Sequence, residues 1–151
     1  MATVVCLDSL ELDPSDHNVR LLLAECYWRL GQRQEAAASL DTIRKSCDAD
    51  ARTLDVLSAI FADRPEIGRR LLLDAAQSAA DSSLEDDPAL WARAAAILGE
   101  NDLAFRCLDK AFERRETAVL LLNVDPAYRG LRDDSRFAPL VTRLGLAGAA
   151  D

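Results

Sequence analysis

Apolar residues recur every three to four positions in several stretches of the chain, and a glycine interrupts two of these stretches. In ECYWRLGQRQEAAASL, the apolar positions before Gly31 and those after it fall on two separate helical faces. Glycine readily ends a helix because it adopts a positive φ just after the C-cap without a steric penalty. We therefore predict two helices joined by a polar turn, which together make a helical hairpin.

The same pattern returns 68 residues later, around Gly99. Under this shift the matched pairs are Leu23 and Trp91, Ala24 and Ala92, Leu30 and Leu98, Ala36 and Ala104, and Leu40 and Leu108. A third, less regular copy is predicted between the two. There Arg64-Pro65 replaces the glycine turn, because proline disfavours a helix at the residue before it and suits the start of a new one.

These residues resemble the tetratricopeptide repeat, a helical hairpin of about 34 residues. The family's pattern places a leucine, a small residue and a tyrosine on the first helix, where this chain has Leu23, Ala24 and Tyr27. The later small and large apolar positions of the family fall on Ala36 and Leu40. The two copies of the hairpin pattern lie 68 residues apart, which is twice the family's period of about 34 residues. This spacing strengthens the resemblance.

The resemblance implies an all-α fold, namely a short right-handed solenoid of about three helix hairpins with a leading half-hairpin and a C-terminal cap helix. We expect the hairpins at 15–48, 50–81 and 86–118 and the cap at 119–147, within a single domain that covers 1–151. The composition agrees with this class. Half of the residues are apolar but only 5% are aromatic, and alanine and leucine, which favour helices, dominate the apolar set.

Both ends of the chain carry recognisable segments. The first, ATVVCLDSLEL, is expected to be the second helix of an incomplete hairpin, with Ala2, Cys6 and Ser9 facing inward. The last, LLNVDPAYRGLRDDSRFAPLVTRLGL, resembles the terminal segment of many bacterial tetratricopeptide repeat proteins. The matching residues are Asp125, Pro126, Leu131, Arg132, Asp133, Arg136 and Phe137. Such segments are common on transcriptional regulators, kinases and cyclases, and they imply a terminal cap.

Charge and hydropathy narrow the classes of partner. The formal net charge is −8, which repels phosphate backbones and anionic membranes, so we expect neither nucleic acid nor membrane as a partner. No apolar run approaches the roughly 18 residues of a membrane span, and the short VVCL lacks the basic flank of a signal peptide. We therefore expect a cytoplasmic protein whose four cysteines, which lack metal-site spacing, are reduced thiols.

The sequence offers little that points to catalysis. It contains no GxxxxGK[ST], GxGxxG, HExxH or GxSxG motif. The single histidine, His17, lies in DPSDHN, which is typical of a loop and a helix N-terminus. We expect Glu85, Asp86 and Asp87 to form a solvated acidic loop. We expect no enzyme, no cofactor and no metal; the alternative of an enzyme built on the repeats needs a pocket with perturbed carboxylates or a reactive cysteine.

The resemblance also implies a binding surface, because the first helices of tetratricopeptide repeats line a concave groove that holds peptides. The implied groove residues are Asn18, Leu21, Glu25, Trp28, Arg29, Arg52, Asp55, Arg93 and Ile97. Tryptophan and arginine commonly anchor interfaces, although Trp28 also suits packing against a neighbouring repeat, and both interpretations stay open.

Two functional hypotheses follow. The first is a scaffold or adaptor that binds a peptide or helix of a protein partner, with self-association through the N-terminal helix as a further expectation. The alternative is the C-terminal regulatory region of a bacterial transcriptional regulator or of a signalling kinase or cyclase.

Overall fold

The computed structural model describes residues 2–46, 51–78 and 86–145, and every regular element in these ranges is a helix. The α-helices are Ala2–Leu12 (α1), His17–Arg29 (α2), Arg33–Ser46 (α3), Ala51–Phe61 (α4), Pro65–Gln77 (α5), Pro88–Leu98 (α6), Asn101–Glu113 (α7) and Phe137–Arg143 (α8). Two 3₁₀ helices, Thr117–Leu121 and Pro126–Leu131, lie between α7 and α8. The all-α fold of paired helices that the sequence predicted is confirmed.

The chain divides into two compact units, Met1–Gly68 and Arg69–Asp151. In the first unit α2 packs closely against α3, and in the second unit α6 packs closely against α7. Helix α5 begins in the first unit and continues into the second. The single domain expected from the length stays a prediction.

Gly31 ends α2 in the way that the sequence predicted. Its φ of 78° lies in the left-handed region, where a side chain would be strained. The N–H of Gly31 donates to the carbonyl of Trp28 at 2.9 Å, and the N–H of Gln32 donates to the carbonyl of Tyr27 at 2.8 Å. This is the hydrogen-bond pattern of the Schellman motif, which satisfies carbonyl groups at the end of the helix and reverses the chain.

The same motif ends α4 and α6. Gly99 has a φ of 77°, and the N–H of Glu100 donates to the carbonyl of Ala95 at 2.9 Å. In the middle copy the left-handed position is occupied by Asp63, with a φ of 57°, and Pro65 then begins α5 as predicted. The turn therefore keeps its backbone geometry without a glycine.

In the first unit, α2 and α3 pack through small side chains. Ala24 of α2 and Ala36 of α3 are fully buried, as is nearly all of Leu40. Helix α4 packs against α3. At Gly68 of α5 an added Cβ would lie 3.3 Å from Ile60 Cγ1, so this glycine allows a close approach between α4 and α5.

Helix α1 packs against α2 through a small cluster. The buried members are Cys6 and Leu10 of α1 and Leu23 of α2. Cys6 faces inward as expected, but the sequence analysis missed Leu10, and Ser9 is only half-buried. The side chain of Ala2, the third expected inward position, lies outside what the structure describes. Of the other α1 side chains, Val4, Val5, Leu7 and Leu12 are exposed.

In the second unit, α6 is buried on nearly all sides because it packs against both α7 and the second 3₁₀ helix. Trp91, the counterpart of Leu23, is fully buried and belongs to the core. Asp125 caps the second 3₁₀ helix by accepting a hydrogen bond from the N–H of Ala127 at 2.9 Å. The DP dipeptide of the terminal segment thus begins the second 3₁₀ helix, which packs against α6.

Helix α8 is held to α7 by two arginines that lie over aromatic rings. The guanidinium of Arg136 lies 4.4 Å from the ring centroid of Phe105, and that of Arg143 lies 4.3 Å from the ring centroid of Phe112. Arg143 also donates to Asp109 Oδ1 at 2.8 Å. Each contact adds a cation–π interaction to the packing of the cap.

Candidate functional site

The predicted groove residues of α2 differ in how far they reach the surface. Leu21 and Glu25 are buried, Trp28 is half-buried, and Asn18 and Arg29 are exposed. Asn18 lies in the first turn of α2, whereas Trp28 and Arg29 are its last two residues. Trp28 and Arg29 are therefore the predicted groove residues of α2 that both reach the surface and lie next to each other.

Trp28 is the centre of a group of side chains at this end of α2, which we call the Trp28 cluster. Its members are Glu25, Trp28, Arg29, Arg33, Phe61 and Asp63. The ring of Trp28 stacks on Phe61 with a centroid separation of 5.3 Å and an interplanar angle of 26°. Its Nε1–H donates to Asp63 Oδ1 at 3.2 Å. One ring face and the N–H edge are thus fixed by α4 and its C-terminal turn, which gives Trp28 a role in packing between neighbouring helix pairs.

Glu25 and Arg29 extend the cluster along α2. Arg29 donates through Nε at 2.9 Å and through a terminal nitrogen at 2.7 Å, both to Glu25 Oε1. Glu25 is 3% exposed, and a buried carboxylate is tolerated only with a partner of this kind. The guanidinium carbon of Arg29 lies 5.5 Å from the centroid of the Trp28 ring, within cation–π range.

Asp63 joins the turn after α4 to the turn after α2. Its carboxylate pairs with the guanidinium of Arg33 and accepts the indole hydrogen bond of Trp28. These two contacts, with Arg33 the larger, hold the pKa of Asp63 below its usual range. Aspartate is also one of the few residue types that tolerate the left-handed backbone at this position, so one residue ends α4 and positions Trp28.

The two predicted groove residues of α4 lie apart from the cluster. Arg52 and Asp55 are both exposed in the N-terminal half of the helix. Asp55 forms an ion pair of 2.9 Å with Arg44 of α3. Arg52 precedes Phe61 by nine residues, a rise of about 13 Å along an α-helix, so it does not belong to the same patch.

The second unit holds the last two predicted groove residues. Ile97 is half-buried, and Arg93 is 8% exposed. The guanidinium of Arg93 pairs with the carboxylate of Asp125 in the interior. Arg93 therefore contributes an ion pair to the interior of the second unit, whereas the sequence predicted it on the groove surface.

The residues weighed for catalysis have simple structural roles. Asp16 caps α2, since its Oδ1 accepts the N–H of Val19 at 3.0 Å, and His17 begins that helix half-buried. Burial raises the pKa of the Cys107 thiol to about 11, which makes it a poor nucleophile at neutral pH. Within the ranges that the structure describes, no group of three or more His, Cys, Asp or Glu side chains is arranged to hold a metal. In those ranges, too, every helix is too short or too polar to cross a membrane.

Part of the chain matches a known protein family. The family model of the tetratricopeptide repeat matches residues 7–60, which contain α2, α3 and most of α1 and α4. Residues 7–60 therefore consist of tetratricopeptide repeat sequence. Tetratricopeptide repeats generally mediate protein–protein interaction and are typically not catalytic. No curated protein and no solved structure is significantly similar to the chain.

The match to the tetratricopeptide repeat ends within α4, one residue before Phe61. Most of the Trp28 cluster therefore belongs to recognisable repeat sequence, and Phe61 and Asp63 complete it. Sequence reasoning missed Arg33, Phe61 and Asp63 as parts of the site. A signal for Asp63 was present, because an aspartate two residues before a proline, just after an apolar stripe, suits a left-handed helix end.

Proposed function

We propose that this protein is a scaffold or adaptor that binds a segment of a protein partner on the surface of the Trp28 cluster, without catalysis. The observation that carries the proposal is a half-buried tryptophan that is held in place and still reaches the surface. Tryptophan and arginine are the residue types that most often dominate the energy of interfaces, and the cluster places both side by side.

The rigidity of Trp28 supports the proposal. Phe61 restrains one face of the ring and Asp63 restrains its N–H edge. A side chain that is already immobilised loses little conformational entropy when a partner covers it. The surface is in this sense preorganised, and a partner would meet it with little rearrangement.

The exposed groups indicate the chemistry of the partner segment. The side chains of Arg29 and Arg33 are 40% and 49% exposed, and both lie next to Trp28. An apolar side chain of the partner would pack on the exposed part of the indole, while a carboxylate or carbonyl group would accept hydrogen bonds from the arginines. We therefore propose a segment that combines a large apolar side chain with an acidic neighbour.

The remaining predicted residues take secondary places in the proposal. Leu21 and Glu25 shape the surface from beneath because they are buried. Asn18, Arg52 and Asp55 are exposed but lie apart from the Trp28 cluster, so the proposed surface does not depend on them. We leave Arg93 out, because its charge is already paired inside the second unit.

The proposal is tested by selecting short peptides from a displayed random library against the immobilised chain. The affinity of the selected peptides is then measured by fluorescence polarisation for the wild type, Trp28→Ala, Arg29→Ala and the control Arg106→Ala. Arg106 is an exposed arginine of α7. We expect binding at least ~10-fold weaker for Trp28→Ala, as is usual for an interface anchor, and no change for Arg106→Ala. Equal affinities for all four proteins would refute the proposal.

A further inference from the structure

The hairpin of α1 and α2 places two reduced cysteines against each other. Cys26 lies three residues after Leu23 and four residues after Leu22 on α2, the spacing that puts side chains on one helical face. Leu23 belongs to the cluster formed with Cys6 and Leu10 of α1, and Leu22 packs on that cluster. Cys26 therefore faces α1, the helix that carries Cys6.

The electrostatics of Cys6 agree with this placement, because, in addition to burial, Cys26 raises the pKa of the Cys6 thiol through its charge and a side-chain hydrogen bond. Both cysteines are reduced in the structure. Cys6 is buried, whereas Cys26 is half-buried and so reaches solvent. A disulfide needs the two sulfur atoms at about 2.05 Å, so the two neighbouring thiols would move together when the bond forms.

We propose that Cys6 and Cys26 form a reversible disulfide that fastens α1 to α2. The two cysteines come from different helices of the hairpin, so the bond would restrain α1 where it is otherwise held mainly by Cys6 and Leu10. The site would respond to small disulfides of the glutathione type.

The reaction balances as a thiol–disulfide exchange. The thiolate of Cys26, the more accessible of the pair, attacks one sulfur of oxidised glutathione and releases one reduced glutathione. Cys6 then loses its proton, attacks the Cys26 sulfur of this mixed disulfide and releases a second reduced glutathione. Both cysteines are oxidised, one molecule of oxidised glutathione is reduced to two thiols, and excess reduced glutathione reverses the sequence.

The order of attack follows from the surroundings of the two thiols. Burial raises the pKa of the Cys6 thiol, and the neighbouring Cys26 raises it further. Cys6 is therefore suited to act second, as the resolving thiol. Attack by a buried thiol becomes effective only when the reactive sulfur is held next to it, which is what the hairpin provides.

The test uses the full chain, reduced and then exposed to oxidised glutathione at mildly alkaline pH. Alkylation of remaining thiols and digestion with trypsin would place Cys6 in the peptide Met1–Arg20 and Cys26 in the peptide Leu21–Arg29. We expect these two peptides, linked by a disulfide, to be the major product by mass spectrometry. The same reaction in concentrated guanidinium should lose this preference, because the hairpin no longer brings the two thiols together.

Variants make the outcome decisive. Cys26→Ser and Cys6→Ser should each abolish the linked product, and the matched control Cys107→Ser should retain it, since Cys107 is buried in α7. Oxidation should also raise the melting temperature of the wild type but not that of Cys26→Ser, a change at a half-buried position that the fold should tolerate. If the native wild-type chain yields mainly glutathione adducts, or another cysteine pair, the proposal is wrong.

Discussion

Arg93 of α6 and Asp125, the residue before the second 3₁₀ helix, form an ion pair in the interior of the second unit. Their side chains are 9% and 5% exposed. Removing one partner of such a pair leaves an uncompensated buried charge, which costs about 3–5 kcal/mol. We predict that Asp125→Asn lowers the free energy of unfolding by an amount in this range, measured by urea denaturation.

A double variant separates the pair from its surroundings. Arg93→Met removes the charge that Asp125→Asn would strand, so the double variant should be more stable than the sum of the two single effects predicts. Additive effects would mean that the two side chains do not interact, and a wild-type stability for Asp125→Asn would contradict the buried pair itself.

The glycines at the ends of α2 and α6 should be difficult to replace. Gly31 and Gly99 have φ values of 78° and 77°, and a left-handed backbone costs an L-residue about 1–2 kcal/mol. We predict that Gly31→Ala and Gly99→Ala each lower the free energy of unfolding by about this amount in chemical denaturation. Gly130→Ala is the matched control, because Gly130 does not have a positive φ and has open space where a Cβ would lie. If Gly130→Ala lowered the free energy of unfolding by a comparable amount, the left-handed backbone would not be the cause of the loss.

Close packing of α2 on α3 gives a third prediction. Ala36 is fully buried at this contact, whereas the adjacent Ala37 is exposed. Inserting a larger side chain into a well-packed core costs about 1–3 kcal/mol. Ala36→Leu should therefore lower the thermal stability, while Ala37→Leu should leave it nearly unchanged. Similar melting temperatures for the two variants would show that Ala36 does not lie in the packed contact between α2 and α3.

The apolar faces of the helices and the turns between them are the part of the fold that the sequence predicted best. Gly31, Gly99 and Pro65 take the positions expected of them because each has a backbone restriction that acts locally. Leu10 and Gly68 were missed because their roles depend on a neighbouring helix. Gly68 matters through its close approach to Ile60, and the surrounding sequence contains no signal that predicts this approach.

The site was less accessible to sequence reasoning. The sequence singles out Trp28, but the contacts of this residue with Phe61 and Asp63 join residues more than 30 positions apart. Arg93 was placed by analogy of register, and only the structure shows the carboxylate of Asp125 beside it. How exposed a side chain is at a given position of the repeat depends on the neighbouring segment that packs on it. The repeat pattern does not encode that segment.

Acidification should release Trp28 from its restraint. The pKa of Asp63 is lowered by Arg33 and by Trp28, so its carboxylate contributes stability that is complete above the ordinary pKa of about 4 and is lost as the pH falls through the lowered value. We predict a change in tryptophan fluorescence in that acidic window. Asp63→Asn, which keeps an oxygen for the indole but carries no charge, should lack this change; an unaltered transition in the variant would assign it to another group.

The most direct test of the proposed binding surface uses the two indole N–H signals of the chain, those of Trp28 and Trp91. In a ¹H–¹⁵N spectrum they are distinguished by the variant Trp28→Phe. Saturation with a selected peptide should shift the Trp28 indole signal, because the peptide covers its half-buried ring, and should leave the signal of the fully buried Trp91 in place. A Trp28 signal that does not move while the peptide is fully bound would contradict the account.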